Sequence, residues 1–230
     1  MATKDGILTK EELNLILLVD NSYSMNGSRI SQVNQAIPVL KDNLIEVADE
    51  HDVDLKVRII AFSDEAIWQV GTVDKGEDIG SVVWKPLDVV GETTTATAIR
   101  EANKALKKQY LGAHALRPVV VLITDGYCTD PHEEYLAAIE EMKKRLGGKS
   151  GKEKITRVAI GVEDFKRDEL VEFASQGLYM DEMQPLVFSV DEPEKLGKVI
   201  NWVTVTSILS SITDDGDTPP VLEPDEEEWV

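Results

Sequence analysis

The chain has 230 residues, a length that fits one domain with extensions better than two domains. Its hydrophobic share of 42% and charged share of 29% are typical of globular proteins and exclude disorder of the whole chain. The formal net charge of −19 argues against nucleic acids and anionic membrane surfaces as partners. The single cysteine, Cys128, excludes an intrachain disulfide and fits a reducing compartment.

The N-terminal segment favours a cytoplasmic location. Residues 1–13 are charged and polar, without the apolar stretch of a signal peptide. The longest purely apolar runs have five residues, whereas about 20 are needed to cross a bilayer. We therefore expect a soluble cytoplasmic protein.

Predicted strands and helices alternate along the chain. Continuous apolar runs predict strands buried on both faces, and apolar residues three or four apart predict helices. The predicted elements are the strand Leu13–Val19, the helix Ile30–Val47, the strand Val57–Phe62, an edge strand Ile67–Val73, the helix Thr97–Tyr110, the strand Val119–Thr124, a helix to about Leu146, the strand Ile155–Val162, the helix Asp168–Ser175, the strand Leu186–Val190 and the helix Glu192–Ile212.

Three local signals refine these predictions. Pro38 is expected to kink the first helix. Asp130 as N-cap, with Pro131 and Glu133 behind it, predicts the start of the helix that runs to Leu146. The segment Ile79–Leu87 stays ambiguous between helix and loop.

This alternation predicts an α/β domain with a doubly wound, mostly parallel six-stranded sheet, one antiparallel edge strand and helices on both faces. We divide the chain into an N-terminal extension (1–12), the α/β domain (13–212) and an acidic tail (213–230). Residues 214–230 contain eight acids, no base and three prolines, a composition that predicts a disordered or extended segment.

Three polar segments are the candidates for chemistry. Asp20, Ser22 and Ser24 follow the first strand, threonines cluster at Thr93–Thr97 before a helix, and Asp125 follows the fourth strand. Parallel sheets bind ligands at the carboxyl ends of their strands. Oxygen donors of this kind suit Mg²⁺, Mn²⁺ or Ca²⁺ rather than zinc. An ion held mostly by neutral hydroxyls keeps much of its charge and attracts a carboxylate from outside.

The ordered set Asp-x-Ser-x-Ser, a threonine segment opening a helix, and Thr-Asp-Gly resembles the metal-ion-dependent adhesion site of von Willebrand factor A (VWA) domains. The resemblance covers about residues 10–212. It implies that Ser22, Ser24 and Thr93 coordinate the metal directly, and that Asp20 and Asp125 act largely through bound waters. Thr93 is chosen because the family's threonine stands six residues before the aliphatic residue of the helix, here Ile99; Thr94 and Thr95 stay open as alternatives.

Two residues depart from the family pattern. Tyr23 stands where Gly or Ser is common, and Glu92 replaces the second Gly before the threonine. Neither change removes an oxygen ligand, but Glu92 is placed to repel or select an incoming carboxylate. A finer resemblance, to the bacterial TerY-type proteins of tellurium resistance and stress operons, rests on three short segments: Arg117-Pro118, Asn201-Trp202-Val203 and Ser210-Ser211.

The motif residues have one structural and three functional interpretations. In the structural interpretation, Asp20 is a turn or N-cap residue and the threonines cap the following helix. Functionally, we favour a non-enzymatic module whose divalent ion captures an Asp or Glu of a partner protein, with a kinase/phosphatase pair implied by the TerY resemblance. The alternative is an adaptor of an AAA+ ATPase complex. A metal-dependent phosphatase is disfavoured because Ser22 replaces the second acid of an Asp-x-Asp motif and no general base is evident.

Overall fold

The computed structural model describes residues 10–146, 154–179 and 182–213, together with two-residue strands at 3–4, 7–8 and 221–222. The sequence from 147 to 154, rich in Gly, Lys and Ser, predicts a loop; its residues 147–153 and most of the acidic tail lie outside the described residues. Of the tail, Val221–Leu222 form a short strand that pairs in parallel with residues 178–179.

Within the described residues, the central sheet has a path of six strands and one short additional strand. The six are β1 (Glu11–Asp20), β2 (Val53–Phe62), β3 (Ala66–Val70), β4 (Val119–Thr124), β5 (Thr156–Val162) and β6 (Val187–Val190). Their spatial order is β6-β5-β4-β1-β2-β3, and every neighbouring pair is parallel except β2 and β3. This confirms the predicted fold class. The additional two-residue strand Glu77–Asp78 pairs antiparallel with the start of β2.

In the part of the chain that the structure describes, five α-helices flank the sheet: α1 (Ser28–Glu50), α2 (Thr95–Ala105), α3 (His132–Lys144), α4 (Arg167–Phe173) and α5 (Pro193–Thr213). α1 packs on α5, and α2 packs on α3. The apolar side chains of β1 and β4 between them are fully buried, which explains their continuous apolar sequence. No helix in the described ranges is long and apolar enough to cross a membrane.

Several local predictions need correction. α1 is longer than predicted, a single helix of 23 residues that includes Pro38 on its exposed side; the predicted kink at Pro38 stays a prediction. α2 ends at Ala105, before a separate 3₁₀ turn at Lys108–Tyr110. In the ambiguous segment, only Ile79–Ser81 is helical, as a 3₁₀ turn. Outside the central sheet, Gln176–Tyr179 pairs antiparallel with Glu182–Pro185, a pairing that the hydrophobic pattern of the sequence did not predict.

The capping prediction for α3 was wrong. α3 begins at His132, its N-cap is Pro131, and no side chain caps it. Asp130 instead accepts a hydrogen bond from the backbone N–H of Ala96, at 2.8 Å, in the first turn of α2. A carboxylate at that position satisfies a free donor of the helix and suits its dipole. Asp130 therefore joins the loop after β4 to α2.

The register of β1 brings the predicted site together. Val19 of β1 pairs with Ile123 of β4, and Asp20 pairs with Phe62 of β2. β1 and β4 are neighbours that end at the same edge of the sheet. Asp20 and Asp125 therefore follow adjacent strand ends.

The cap across these loops can be tested by mutation. Asp130→Ala is expected to lower the free energy of unfolding by about 1 kcal/mol, because it leaves the Ala96 N–H without its partner. Glu133→Ala, the residue of the rejected capping box, is expected to cost only about 0.3 kcal/mol, through the helix dipole. Urea unfolding of both variants is the measurement. Equal losses, or a larger loss for Glu133→Ala, would restore the capping box.

Candidate metal centre

Three loops meet at this edge: the first follows β1 (residues 21–27), the second precedes α2 (residues 87–94), and the third follows β4 (residues 125–131). The first loop places two hydroxyl groups side by side. Asp20, at the end of β1, is fully buried, and its Oδ1 accepts the backbone N–H of Ser22 at 2.8 Å. A 3₁₀ turn over Tyr23–Met25 then returns Ser24 to Ser22, so that their Oγ atoms lie 3.0 Å apart. In an octahedral shell at the roughly 2.0–2.1 Å typical of Mg²⁺, neighbouring oxygens lie about 2.9 Å apart. The two hydroxyls are thus spaced as adjacent ligands of one small cation.

A threonine joins this loop to the third one. Thr124, the last residue of β4, donates its hydroxyl to Asp20 Oδ2 at 2.6 Å and accepts the N–H of Gly126 at 3.0 Å. Burial raises the pKa of Asp20 to about 6, although the hydrogen bonds from Thr124 and Ser22 act in the opposite direction. A buried carboxylate with this pKa favours a cation close by.

The three candidate threonines of the second loop differ in the hydrogen bonds that their hydroxyl groups make. Thr94 is engaged by the Ser63 carbonyl, which accepts both its hydroxyl, at 2.5 Å, and its N–H, at 2.9 Å. Thr95 is buried beside the thiol of Cys128. Thr93 is fixed through its backbone to Thr129, and its own hydroxyl makes no hydrogen bond to any described residue. Of the three threonines, Thr93 alone has a hydroxyl that no described residue engages, and it stays the predicted ligand.

The first and second loops are tied together by their backbones. Tyr23 N–H donates to the Gly91 carbonyl at 3.1 Å, and Val90 N–H donates to the Asn21 carbonyl at 2.8 Å. Gly91 has φ +68°, and a Cβ there would lie 2.3 Å from a carboxylate oxygen of Asp64. Only glycine fits this position without displacing Asp64. The loop that carries Thr93 is therefore built around Gly91.

Glu92 contributes to the loop structure through its backbone and not through its side chain. Its N–H donates to Asp64 Oδ1 at 2.8 Å, and its side chain is exposed. The departure from the Gly-Gly pattern is thus accommodated without disturbing Thr93.

The third loop contributes Asp125 and a cation that the sequence reasoning missed. Asp125 is fully buried, and its Oδ1 accepts the N–H of Tyr127 at 3.2 Å. Its Oδ2 lies 3.3 Å from Nη1 of Arg29, on α1. One signal for Arg29 was available: it stands in the first turn of a helix, where the dipole disfavours a cation unless anionic groups surround it.

The described residues offer one kind of metal site here. No group of three or more His, Cys, Asp or Glu side chains in the described ranges could hold a metal ion. The three loops do bring serine and threonine hydroxyls to this edge, beside two buried carboxylates. The donor set, hydroxyls with two buried carboxylates, fits a hard divalent cation.

A comparison of the amino-acid sequence with known protein families identifies the family of this chain. A profile of the von Willebrand factor type A domain matches residues 14–202. The chain belongs to the von Willebrand factor type A domain family. Among curated proteins, the VWA domain is 25% identical over 170 residues to the mouse collagen alpha-5(VI) chain, covering 72% of this chain and only 6% of the collagen.

Solved structures share the fold at low identity. A von Willebrand factor type A protein from Catenulispora acidiphila has a TM-score of 0.62 at 17% identity, covering 86% of this chain and 43% of its own. BatB from Bacteroides thetaiotaomicron has a TM-score of 0.56 at 19% identity, covering 86% of this chain and all of its own. Proximal thread matrix protein 1 of the mussel byssus, described with a zinc-occupied metal-ion-dependent adhesion site, has a TM-score of 0.53 at 21% identity, covering 88% and 46%.

The burial of Asp20 generates a pH-dependent prediction for metal-free protein. Its folded pKa of about 6 lies above the unfolded value near 4, so the unfolded state releases this proton first. The Asp20 contribution to stability is therefore present at low pH and lost as pH rises through 6. In EDTA, Asp20→Asn is expected to gain about 1 kcal/mol on wild type between pH 5 and pH 8.

Urea unfolding at the two pH values measures that gain. Asp88→Asn, at an exposed aspartate of a neighbouring loop, is the control and is expected to show no such gain. Parallel pH dependence of wild type and Asp20→Asn would contradict the account of Asp20.

Proposed function

We propose that this VWA domain is a non-enzymatic, metal-dependent protein-binding module that captures an Asp or Glu side chain of a partner protein. The observation that carries the proposal is the Ser22–Ser24 hydroxyl pair, 3.0 Å apart, at the sheet edge that buries Asp20 and Asp125. Ser22, Ser24 and Thr93 would hold the ion directly, and the two aspartates would act through water. The ion, when bound, supplies a positive centre that accepts a carboxylate oxygen.

The ion proposed is Mg²⁺, with Mn²⁺ or Ca²⁺ as substitutes, because all the donors are oxygens. The zinc reported for the mussel protein belongs to that protein and supports a divalent ion in this class of site. The measurement below therefore includes zinc beside the three hard ions.

Exposed aromatic side chains support a protein as the ligand. Tyr23, between the two serines, is 66% exposed, and Tyr127, two residues beyond Asp125, is 45% exposed. Lys166 Nζ lies 4.7 Å from the Tyr127 ring centroid, in cation–π contact. Tyrosines are enriched at protein interfaces, where a large ring adds contact area at low entropic cost.

The hydrogen bonds of the carboxylates argue against an enzyme. Asp20 is engaged by Ser22 and Thr124, and Asp125 by Tyr127 and Arg29. A general base needs a carboxylate free to take a proton from a bound substrate or water. Both aspartates serve the loops instead, so we propose a binding role in place of a phosphatase.

The biological setting proposed is a cytoplasmic bacterial stress response of the tellurium-resistance type, with a kinase/phosphatase pair as partner. It is supported by the sequence segments Arg117-Pro118 and Asn201-Trp202-Val203. An AAA+ ATPase is the alternative partner, since the same site chemistry would serve an adaptor. Identification of the captured protein separates the two.

Two neighbouring threonines provide a matched test. Thr93→Val removes the unengaged hydroxyl and is expected to weaken Mg²⁺ or Mn²⁺ binding at least tenfold, measured by calorimetric titration with each ion and with zinc. Thr94→Val removes the hydroxyl held by Ser63; it is expected to keep wild-type metal affinity and to lose about 1 kcal/mol of stability. The reverse ranking of metal affinities would make Thr94 the ligand.

The same variants test partner capture. Wild type and Thr94→Val, incubated with lysate of the native organism, are expected to retain a partner in Mg²⁺ and to release it in EDTA. Thr93→Val is expected to retain none. A partner that stays bound in EDTA and to Thr93→Val would show that binding uses another surface, and would contradict the metal bridge.

A further inference from the structure

A guanidinium group lies among oxygen atoms directly beside the proposed metal centre. Arg29 Nη1 donates to the Ser24 carbonyl at 2.8 Å and lies 3.3 Å from Asp125 Oδ2. Its Nη2 donates to the Asp164 carbonyl at 3.2 Å, and its Nε lies 3.5 Å from Glu163 Oε2. Arg29 thus contacts the first loop, the third loop and the loop after β5 at once.

The surroundings hold this cation in place. The Arg29 side chain is only 22% exposed. Glu163 Oε1 accepts the Gln32 amide at 2.9 Å, and Glu163 N–H donates to the Val190 carbonyl at 2.8 Å. Glu163 also has φ +57°, a left-handed conformation that side chains rarely adopt. Glu163 thus adopts an unfavourable backbone conformation in the loop after β5, and its carboxylate lies beside Arg29.

Arg29 places a positive charge within a few ångströms of two carboxylates, those of Asp125 and Glu163. A divalent ion at the centre carries two charges, which Asp20 and Asp125 balance when both are ionised. Glu163 adds a further negative charge at the rim, and Arg29 balances it. Counting these groups, the occupied centre is neutral with Arg29, whereas without it the centre would be net negative and would repel the carboxylate that it is proposed to capture.

We propose that Arg29 is a tethered cation of this centre, which weakens binding of the free divalent ion and prevents the occupied centre from becoming net negative towards an acidic ligand. The inference rests on the proposed function. It makes Arg29 a specificity-determining residue, since a site without this cation would hold its metal more tightly and an acidic partner less tightly.

The test is calorimetric titration with Mn²⁺ alone at low ionic strength. Arg29→Gln is expected to bind Mn²⁺ about tenfold more tightly than wild type, because like charges a few ångströms apart repel strongly at a partly buried site. Glu163→Gln is expected to bind it several-fold more weakly, and Arg29→Lys, which keeps the charge, to stay near wild type. Arg145→Gln removes a cation that pairs with Glu141 on α3, away from the loops, and serves as the control.

The dependence of Mn²⁺ affinity on ionic strength distinguishes an electrostatic role of Arg29 from a structural one. At high ionic strength the tenfold difference between Arg29→Gln and wild type is expected to narrow, because screening weakens charge repulsion. A structural role would weaken Mn²⁺ binding in both the Arg29→Gln and Glu163→Gln variants, independently of salt, and would overturn the inference. Equal affinities of wild type and Arg29→Gln would also overturn it.

Failure of the proposed function has a different signature. In that case wild type binds no Mn²⁺, or binds it with an affinity that Thr93→Val does not change. If wild type binds Mn²⁺ through Thr93 and Arg29→Gln does not bind it more tightly, only the inference about Arg29 is wrong.

Discussion

The buried carboxylate of Asp20 is the constraint on which the site depends. A charged group without exposure must find donors or a cation, since desolvation otherwise costs several kcal/mol, on the order of the stability of the domain. Asp20 receives the N–H of Ser22 on one oxygen and the hydroxyl of Thr124 on the other. The first bond shapes the loop that pairs the serines, and the second fixes the neighbouring strand end.

The remaining contacts extend this arrangement outward. Gly91 lets the second loop approach the first, and Asp130 connects the third loop to α2. Arg29 then joins the first and third loops from the side of α1. Each of the three loops is bonded to at least one other, so the hydroxyls are held in position before any ion arrives. Preorganisation of this kind reduces the cost of binding a small cation.

The sequence predicts best the contacts between residues that are close together along the chain. Asp20, Ser22 and Ser24 lie within five positions at a strand end, and the apolar run before them identifies that strand. Thr93 was ambiguous because three threonines are consecutive, and the carbonyl that engages Thr94 belongs to Ser63, 31 positions away. Arg29 could not be placed from the sequence, since the oxygens of Asp125 and Asp164 that it contacts lie 96 and 135 positions away.

Asp130 shows how a local rule can mislead. The residues after it satisfy a capping pattern for α3, yet in the fold its carboxylate accepts the N–H of Ala96, at the N-terminus of α2, and no side chain caps α3. The family match over residues 14–202 establishes the family and its fold, but it identifies neither the metal nor the partner.

The most direct test of the metal centre is a crystal structure of the protein with Mn²⁺, in which anomalous scattering locates the ion. The account predicts one peak within about 2.5 Å of the Ser22, Ser24 and Thr93 hydroxyl oxygens. It also predicts that Asp20 and Asp125 reach the ion through water. No peak at these loops under saturating Mn²⁺, or an ion held by other side chains, would contradict the account.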